Sequence, residues 1–256
     1  MRPATGDPAA DRYLADLVAI ADRILGDTLV GVYAVNSVAR GNYLPGRSDL
    51  DVAVVVAAQL DVAMKHRLAD ALRHDSLPCP APRLELVVYR RAVAAAPGAT
   101  PGFELNLNTG PAITDHLTTD AADEPSHWFV LDLAAAFEVA LALAGPPPDE
   151  VFGPVPRPLV LDALMASRAW HAAHDAVAPN RVLNDCRAWK YVADDRWSTK
   201  AEAAAWAIGA GGDAELIGQA LALRAGNRTD PLGADQVHRF SERVGAALAA
   251  ALAAAR

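Results

Sequence analysis

The sequence predicts an α+β protein in two parts, an α/β part over residues 1–145 and a helical bundle over residues 146–256. Runs of β-branched residues fall in the first half, and after Val130 the strand signals fade while apolar residues recur at helical spacing. Between the two regimes stand Gly145 and the triple proline Pro146, Pro147, Pro148, with Pro154, Pro156 and Pro158 behind them. Such a density of proline ends any helix and marks a crossing or linker. A chain of 256 residues is long enough for one large domain or two small ones.

Leu14, Leu17, Val18, Ala21, Ile24 and Leu25 recur at steps of three and four, which predicts a helix over Asp11–Leu25. Thr28–Val35 and Leu50–Ala57 read as strands, separated by a turn region holding Gly41, Asn42, Pro45 and Gly46. A helix is expected over Ala63–Leu72, a break at the prolines of Leu77–Pro82, and a strand over Arg83–Tyr89. Ala92–Glu124 has little pattern and reads as loop with some strand. Leu131–Ala144 reads as a helix ended by Gly145. Five more helices follow, over Leu159–His174, Arg181–Ala193, Thr199–Ile208, Ala214–Ala225 and Asp235–Ala255.

With 23 Lys and Arg against 31 Asp and Glu, the chain carries a net charge of −8. That balance argues against binding the phosphate backbone of a nucleic acid and suits a cationic small molecule. Cys79 and Cys186 have no CxxC partner and no histidine at zinc-ligand spacing, so neither a disulfide framework nor a structural metal is expected. Met1–Asp11, with Arg2, Pro3, Asp7 and Pro8, lacks the apolar run of a secretory signal, and no stretch has membrane-spanning length and apolarity. A cytoplasmic monomer is the expectation.

The stretch Gly31–Val56 carries the chemistry. Asp49 and Asp51, at i and i+2 on a strand, project from one face, where they repel one another unless divalent cations lie between them and a ligand. Ser37, at the start of a short helix, offers its hydroxyl and free backbone amides to a phosphate. Gly41 would let backbone approach closely. Glu85 interrupts the apolar strand Arg83–Val88 and faces the same way as Arg83 and Val87, so three acids converge. The plainer readings are that Ser48 and Asp49 cap a turn and that Glu85 faces water.

An ordered Ser37, Gly41, Asp49-x-Asp51 and later strand acid resembles the polymerase-β-type nucleotidyltransferases, whose domain is a mixed sheet with helices. Val182–Trp189, followed by Ser198–Glu202 and Trp206–Ala207, is similar to the streptomycin/spectinomycin aminoglycoside adenylyltransferases. The resemblance covers most of residues 28–226. It implies that Asp49, Asp51 and Glu85 hold two Mg2+ ions and that Glu85 is also the base. It further implies that Ser37, Asn184, Arg187 and Lys200 bind ATP. Where the family holds its acceptor with an aromatic and an acid just before the Asn/Arg helix, this chain has His174 and Val177, with His171 and Asp175 nearby, so His171, His174 and Asp175 are the acceptor candidates. The chain departs from the pattern at Asn36, where Gly precedes the serine, in a loop from Ser37 to Asp49 one residue longer, and at Gly110, where an aromatic is expected.

The resemblance implies transfer of AMP from MgATP to a hydroxyl of an aminoglycoside-like acceptor, with release of pyrophosphate. A non-catalytic nucleotide sensor or antitoxin-like protein is the alternative, favoured by Asn36.

Overall fold

The computed structural model describes residues 5–256. Of the N-terminal stretch Met1–Asp11, the part on Met1–Ala4 therefore lies outside the described residues. Helix α1 (Pro8–Leu25) begins earlier than expected because Asp7 caps it, accepting from Ala9 N, and Pro8 suits the first turn. Its buried stripe is Ala10, Leu14, Leu17, Ala21 and Leu25. Then come β1 (Leu29–Ala34), the single turn α2 (Asn36–Ala39), β2 (Leu50–Val56), α3 (Val62–Leu72), β3 (Leu84–Arg90) and α4 (Arg91–Ala95). The poorly patterned stretch holds β4 (Leu105–Thr109) and β5 (His116–Thr118). It is followed by α5 (Ser126–Val139) and β6 (Leu141–Ala144).

One six-stranded sheet runs β5-β4-β3-β2-β1-β6. It is mixed: β2 and β3 are parallel, as a crossover through α3 requires, and the other neighbours are antiparallel. Alternation along the strands divides the core in two. Val52, Val54, Leu84, Leu86 and Val88 face the α1 and α3 side. Ala53, Val55, Val87 and Tyr89 pack with Phe129, Leu133 and Ala136 of α5. Asp51 and Glu85 share the parity of this second set, so both project on the α5 face.

The expected helix Leu131–Ala144 is corrected at its end. It stops at Val139, and Leu141–Ala144 is a strand pairing antiparallel with β1 at the sheet edge. Alternating Leu-Ala-Leu-Ala suits either state, and the open edge of β1 decides it. Residues 146–155 stay with the sheet: Tyr33 Oη donates to Pro146 O at 3.1 Å, and Gly153 N donates to Ala94 O at 2.9 Å. The chain accordingly divides into compact units at Val155/Pro156, ten residues beyond the proline-based boundary.

The second unit, Pro156–Arg256, is helical throughout: α6 (Arg157–His174), α7 (Pro179–Asp194), α8 (Lys200–Gly209), α9 (Ala214–Ala225) and α10 (Ala234–Ala255). Helix α7 is its centre and packs on the other four. Thr199 and Glu202 form a capping box that starts α8, and Asp213 caps α9. Asp185 of α7 binds Arg168 of α6 and Ser241 of α10 in a buried network. Cys79 and Cys186 are buried free thiols, and no described helix is long and apolar enough to cross a membrane.

Candidate active site

The sheet unit gathers four of the expected residues at the start of β2 and β3 and the end of β1. Strand β1 ends in extended backbone at Val35, and the chain turns at Asn36, whose φ is +49°. This left-handed conformation is one that Asn adopts more readily than other residues with a Cβ. A side chain where the resemblance expects glycine is therefore accommodated by the backbone. Ser37 opens the α2 turn, and its Oγ is buried with no hydrogen-bond partner. An orphaned hydroxyl beside the free amides of a helical turn is the donor set a phosphate takes up.

Gly41 stands in a left-handed turn away from the rest of the chain. Nothing lies within 4 Å of where its Cβ would be, and its φ of +66° makes it a turn residue. Ser48 is also structural: its Oγ accepts from Leu44 N at 3.1 Å, and its own N donates to Leu44 O at 2.9 Å. This fold-back delivers Asp49 to the mouth of β2.

Asp51 lies opposite Glu85 in the parallel β2–β3 register, and the two side chains are hydrogen-bonded. Burial, followed by the negative charge of Glu85, Asp132 and Asp49, pushes the Asp51 carboxyl well above its ordinary range. Arg83 lies between the other acids: Nε donates to Asp49 Oδ2 at 2.9 Å and Nη2 meets Glu85 Oε1 at 2.5 Å. Among the described residues no three acidic, His or Cys groups are placed to hold a metal together. The donor set itself is all carboxylate oxygen, the kind a hard divalent cation takes, and the shared Asp51–Glu85 hydrogen bond is the contact such a cation would replace. The residues thus fit Mg2+.

Two participants were not foreseen from the sequence. Asp132, on α5, adds its charge to Asp51 and to the deeply buried Tyr89, whose hydroxyl has no hydrogen-bond partner. Its signal was available: it is the one charge in the apolar run Trp128–Phe137. Arg83 reads in the sequence as a strand residue alone.

In the helical unit, Asn184 Nδ2 meets His171 Nε2 at 3.1 Å, and His171 Nδ1 meets both Asp175 oxygens at 2.9 Å. These three form one linked set between α6 and α7. His174 diverges from His171: it is exposed, stacks on Trp170 with centroids 4.3 Å apart, and bonds Trp170 O at 2.8 Å. Arg187 lies 5.4 Å over the Trp197 ring. Lys200 Nζ meets Asn180 Oδ1 at 2.8 Å, so its asparagine is not Asn184. Asn180, Asn184 and Arg187 stand at i, i+4 and i+7 on one stripe of α7. That spacing could have pointed to Asn180 from sequence.

Residues 150–247 match the family model described as aminoglycoside adenylyltransferase, C-terminal domain. The fold is similar to that of the spectinomycin adenyltransferase AAD(9) of Enterococcus faecialis, crystallised with ATP and spectinomycin. The TM-score is 0.68 at 17% identity, over 93% of this chain and 98% of that one. No curated protein matches the sequence. The polar stripe of α7 lies within the matched segment, and the sheet that carries Asp51 opposite Glu85 lies within the shared fold. Residues 150–247 thus carry a domain similar to the C-terminal domain of aminoglycoside adenylyltransferases, and the chain as a whole has the fold of AAD(9).

Proposed function

We propose that the protein transfers AMP from MgATP to a hydroxyl of a cationic aminoglycoside or aminocyclitol, releasing pyrophosphate. The reading rests on the pairing of Asp51 with Glu85 across β2 and β3, next to Asp49 and the orphaned hydroxyl of Ser37. Ser37 and the α2 amides bind phosphate oxygens. Asp49 and Asp51, with Glu85, would hold two Mg2+ ions, which would supply charge neutralisation for the triphosphate and acidity to the acceptor hydroxyl. Glu85 takes the proton of that hydroxyl as general base, which requires its contact with Arg83 to open. Asn184, Arg187 and Lys200 bind the nucleotide, joined by Asn180, which meets Lys200; Arg187 presents a planar fork suited to phosphate oxygens.

Asp175, His171 and His174 contact the acceptor. Asp175 supplies negative charge for an ammonium group, and His171 holds it in place. The net charge of −8 favours encounter with a polycation. AAD(9), crystallised with spectinomycin, makes an aminocyclitol the first acceptor to try. The test is pyrophosphate release from MgATP across a panel of aminoglycosides and aminocyclitols. Release with at least one acceptor, lost in Asp51→Asn, is the expected result. MgATP binding without release on any acceptor would instead identify a nucleotide sensor.

A further inference from the structure

Arg83 is anchored in backbone and part-exposed in side chain. Its carbonyl accepts from Leu50 N at 3.0 Å, and a Cβ at Gly110 would lie 2.6 Å from its Cα, so only glycine there leaves the backbone undisturbed. The side chain is more than a third exposed, and two different nitrogens of its guanidinium meet Asp49 and Glu85. One positive group thus spans two of the three carboxylates assigned to the metal, beside a fourth acid, Asp132.

We infer that Arg83 serves as the resident cation of this carboxylate cluster. It occupies the cluster against a bare divalent ion and releases the cluster to a metal that arrives with a triphosphate, to which it transfers its own contacts. The inference rests on the reading of Asp49 and Asp51 as metal carboxylates.

The physical argument is one of charge. A guanidinium held at 2.9 Å and 2.5 Å from two carboxylates competes directly for the oxygens a metal needs. If it stayed in place, it would set a positive charge within a few ångströms of a divalent ion. Solvent offers the displaced guanidinium no compensating anion. A triphosphate does: it brings oxygens that an Arg fork engages two at a time, and on the proposed reading it shares its metal with the carboxylates that Arg83 contacts. Arg83 would therefore act in opposite directions on the two ligand forms, weakening the bare ion and strengthening the nucleotide complex.

The experiment measures Mn2+ binding by water-proton relaxation, to the full chain, with and without the α,β-methylene analogue of ATP. Arg83→Gln should bind Mn2+ alone about tenfold more tightly than the parent, and Mn2+ with the analogue about tenfold less tightly, as expected for loss of one neighbouring charge in a partly solvated site. Arg83→Lys, which keeps the charge but cannot span both acids, should fall between for the bare ion. It carries the test if Arg83→Gln loses its melting transition. Shifts of the same sign, or none in either arm, would overturn the inference. Asp51→Asn separates the two levels: its loss of Mn2+ binding alongside unchanged Arg83→Gln affinities removes only the role of Arg83, whereas its retention of binding removes the metal reading and this inference with it.

Discussion

Replacing Asp185 by Ala should unfold the helical unit far more readily than replacing any of its neighbours on α7. Asp185 is 1% exposed, accepts from Arg168 Nε at 2.7 Å, and accepts from the Ser241 hydroxyl. Arg168 also donates to the backbone oxygen of Ser241, so one carboxylate and one guanidinium join α6, α7 and α10. Removing the carboxylate leaves a guanidinium with a side chain only 14% exposed and no counter-charge. Breaking a buried pair in this way costs roughly 3–5 kcal/mol. At about 2–4 °C per kcal/mol for a chain of this size, the midpoint should fall by roughly 6–20 °C.

Burial holds the Asp185 carboxyl above its ordinary range even with Arg168 and Ser241 beside it, so for this carboxylate the cost of burial exceeds what its partners return. Replacing both partners, as Arg168→Met with Asp185→Leu, should therefore recover most of the loss. Tryptophan fluorescence in a thermal melt reports the helical unit well, because Trp170, Trp189, Trp197 and Trp206 lie in it and only Trp128 lies elsewhere. A loss below about 1 kcal/mol in Asp185→Ala, or a double variant no better than the single, would refute the reasoning. Asn184 and Arg187 lie on either side of Asp185 in α7, so the network that anchors Asp185 also holds the turn of helix that carries them.

What the sequence made legible was local. Asp49-x-Asp51 and the lone acid Glu85 could be placed on one sheet face because strand alternation is a property of neighbouring residues. That Asp51 and Glu85 lie directly opposite could not, because their register depends on a parallel pairing made through α3. Arg83 was visible as a strand residue on the same face, yet its contact with Asp49 spans 34 residues of sequence. Asp132 reaches the site only because α5 packs on that face of the sheet. Strand β6 had the composition of the helix before it, and pairing with β1 overrode propensity. On α7 the polar stripe is legible in part: Asn184 and Arg187 come from the resemblance, while Asn180 emerges only through its contact with Lys200. The distance between a motif and a site is thus the set of long-range contacts, and here those contacts supply the charges that surround the motif.

Glu85→Gln should lower kcat by about 10²- to 10⁴-fold while MgATP still binds, checked by single-turnover kinetics beside calorimetry; an equal loss in affinity would make Glu85 a metal ligand only. Asn36→Gly should leave the melting midpoint nearly unchanged, whereas Asn36→Val should destabilise by roughly 1–2 kcal/mol because a β-branched residue resists a φ of +49°; a urea titration distinguishes the two. Asp51→Asn should abolish turnover and, in the metal-free protein at neutral pH, raise the melting midpoint. The folded state raises the Asp51 pKa above its ordinary 3.8 through burial and the charges of Glu85, Asp132 and Asp49. Between that value and the raised one the folded chain binds more protons than the unfolded, so stability falls as pH rises through the interval. The advantage of the Asn variant should accordingly shrink as pH is lowered toward 3.8, where the parent carboxyl is protonated in the folded state as well. A melting difference that stayed constant between neutral pH and pH 4 would mean that Asp51 carries no such electrostatic cost, and that the acids of β2 and β3 do not crowd one another as their register implies.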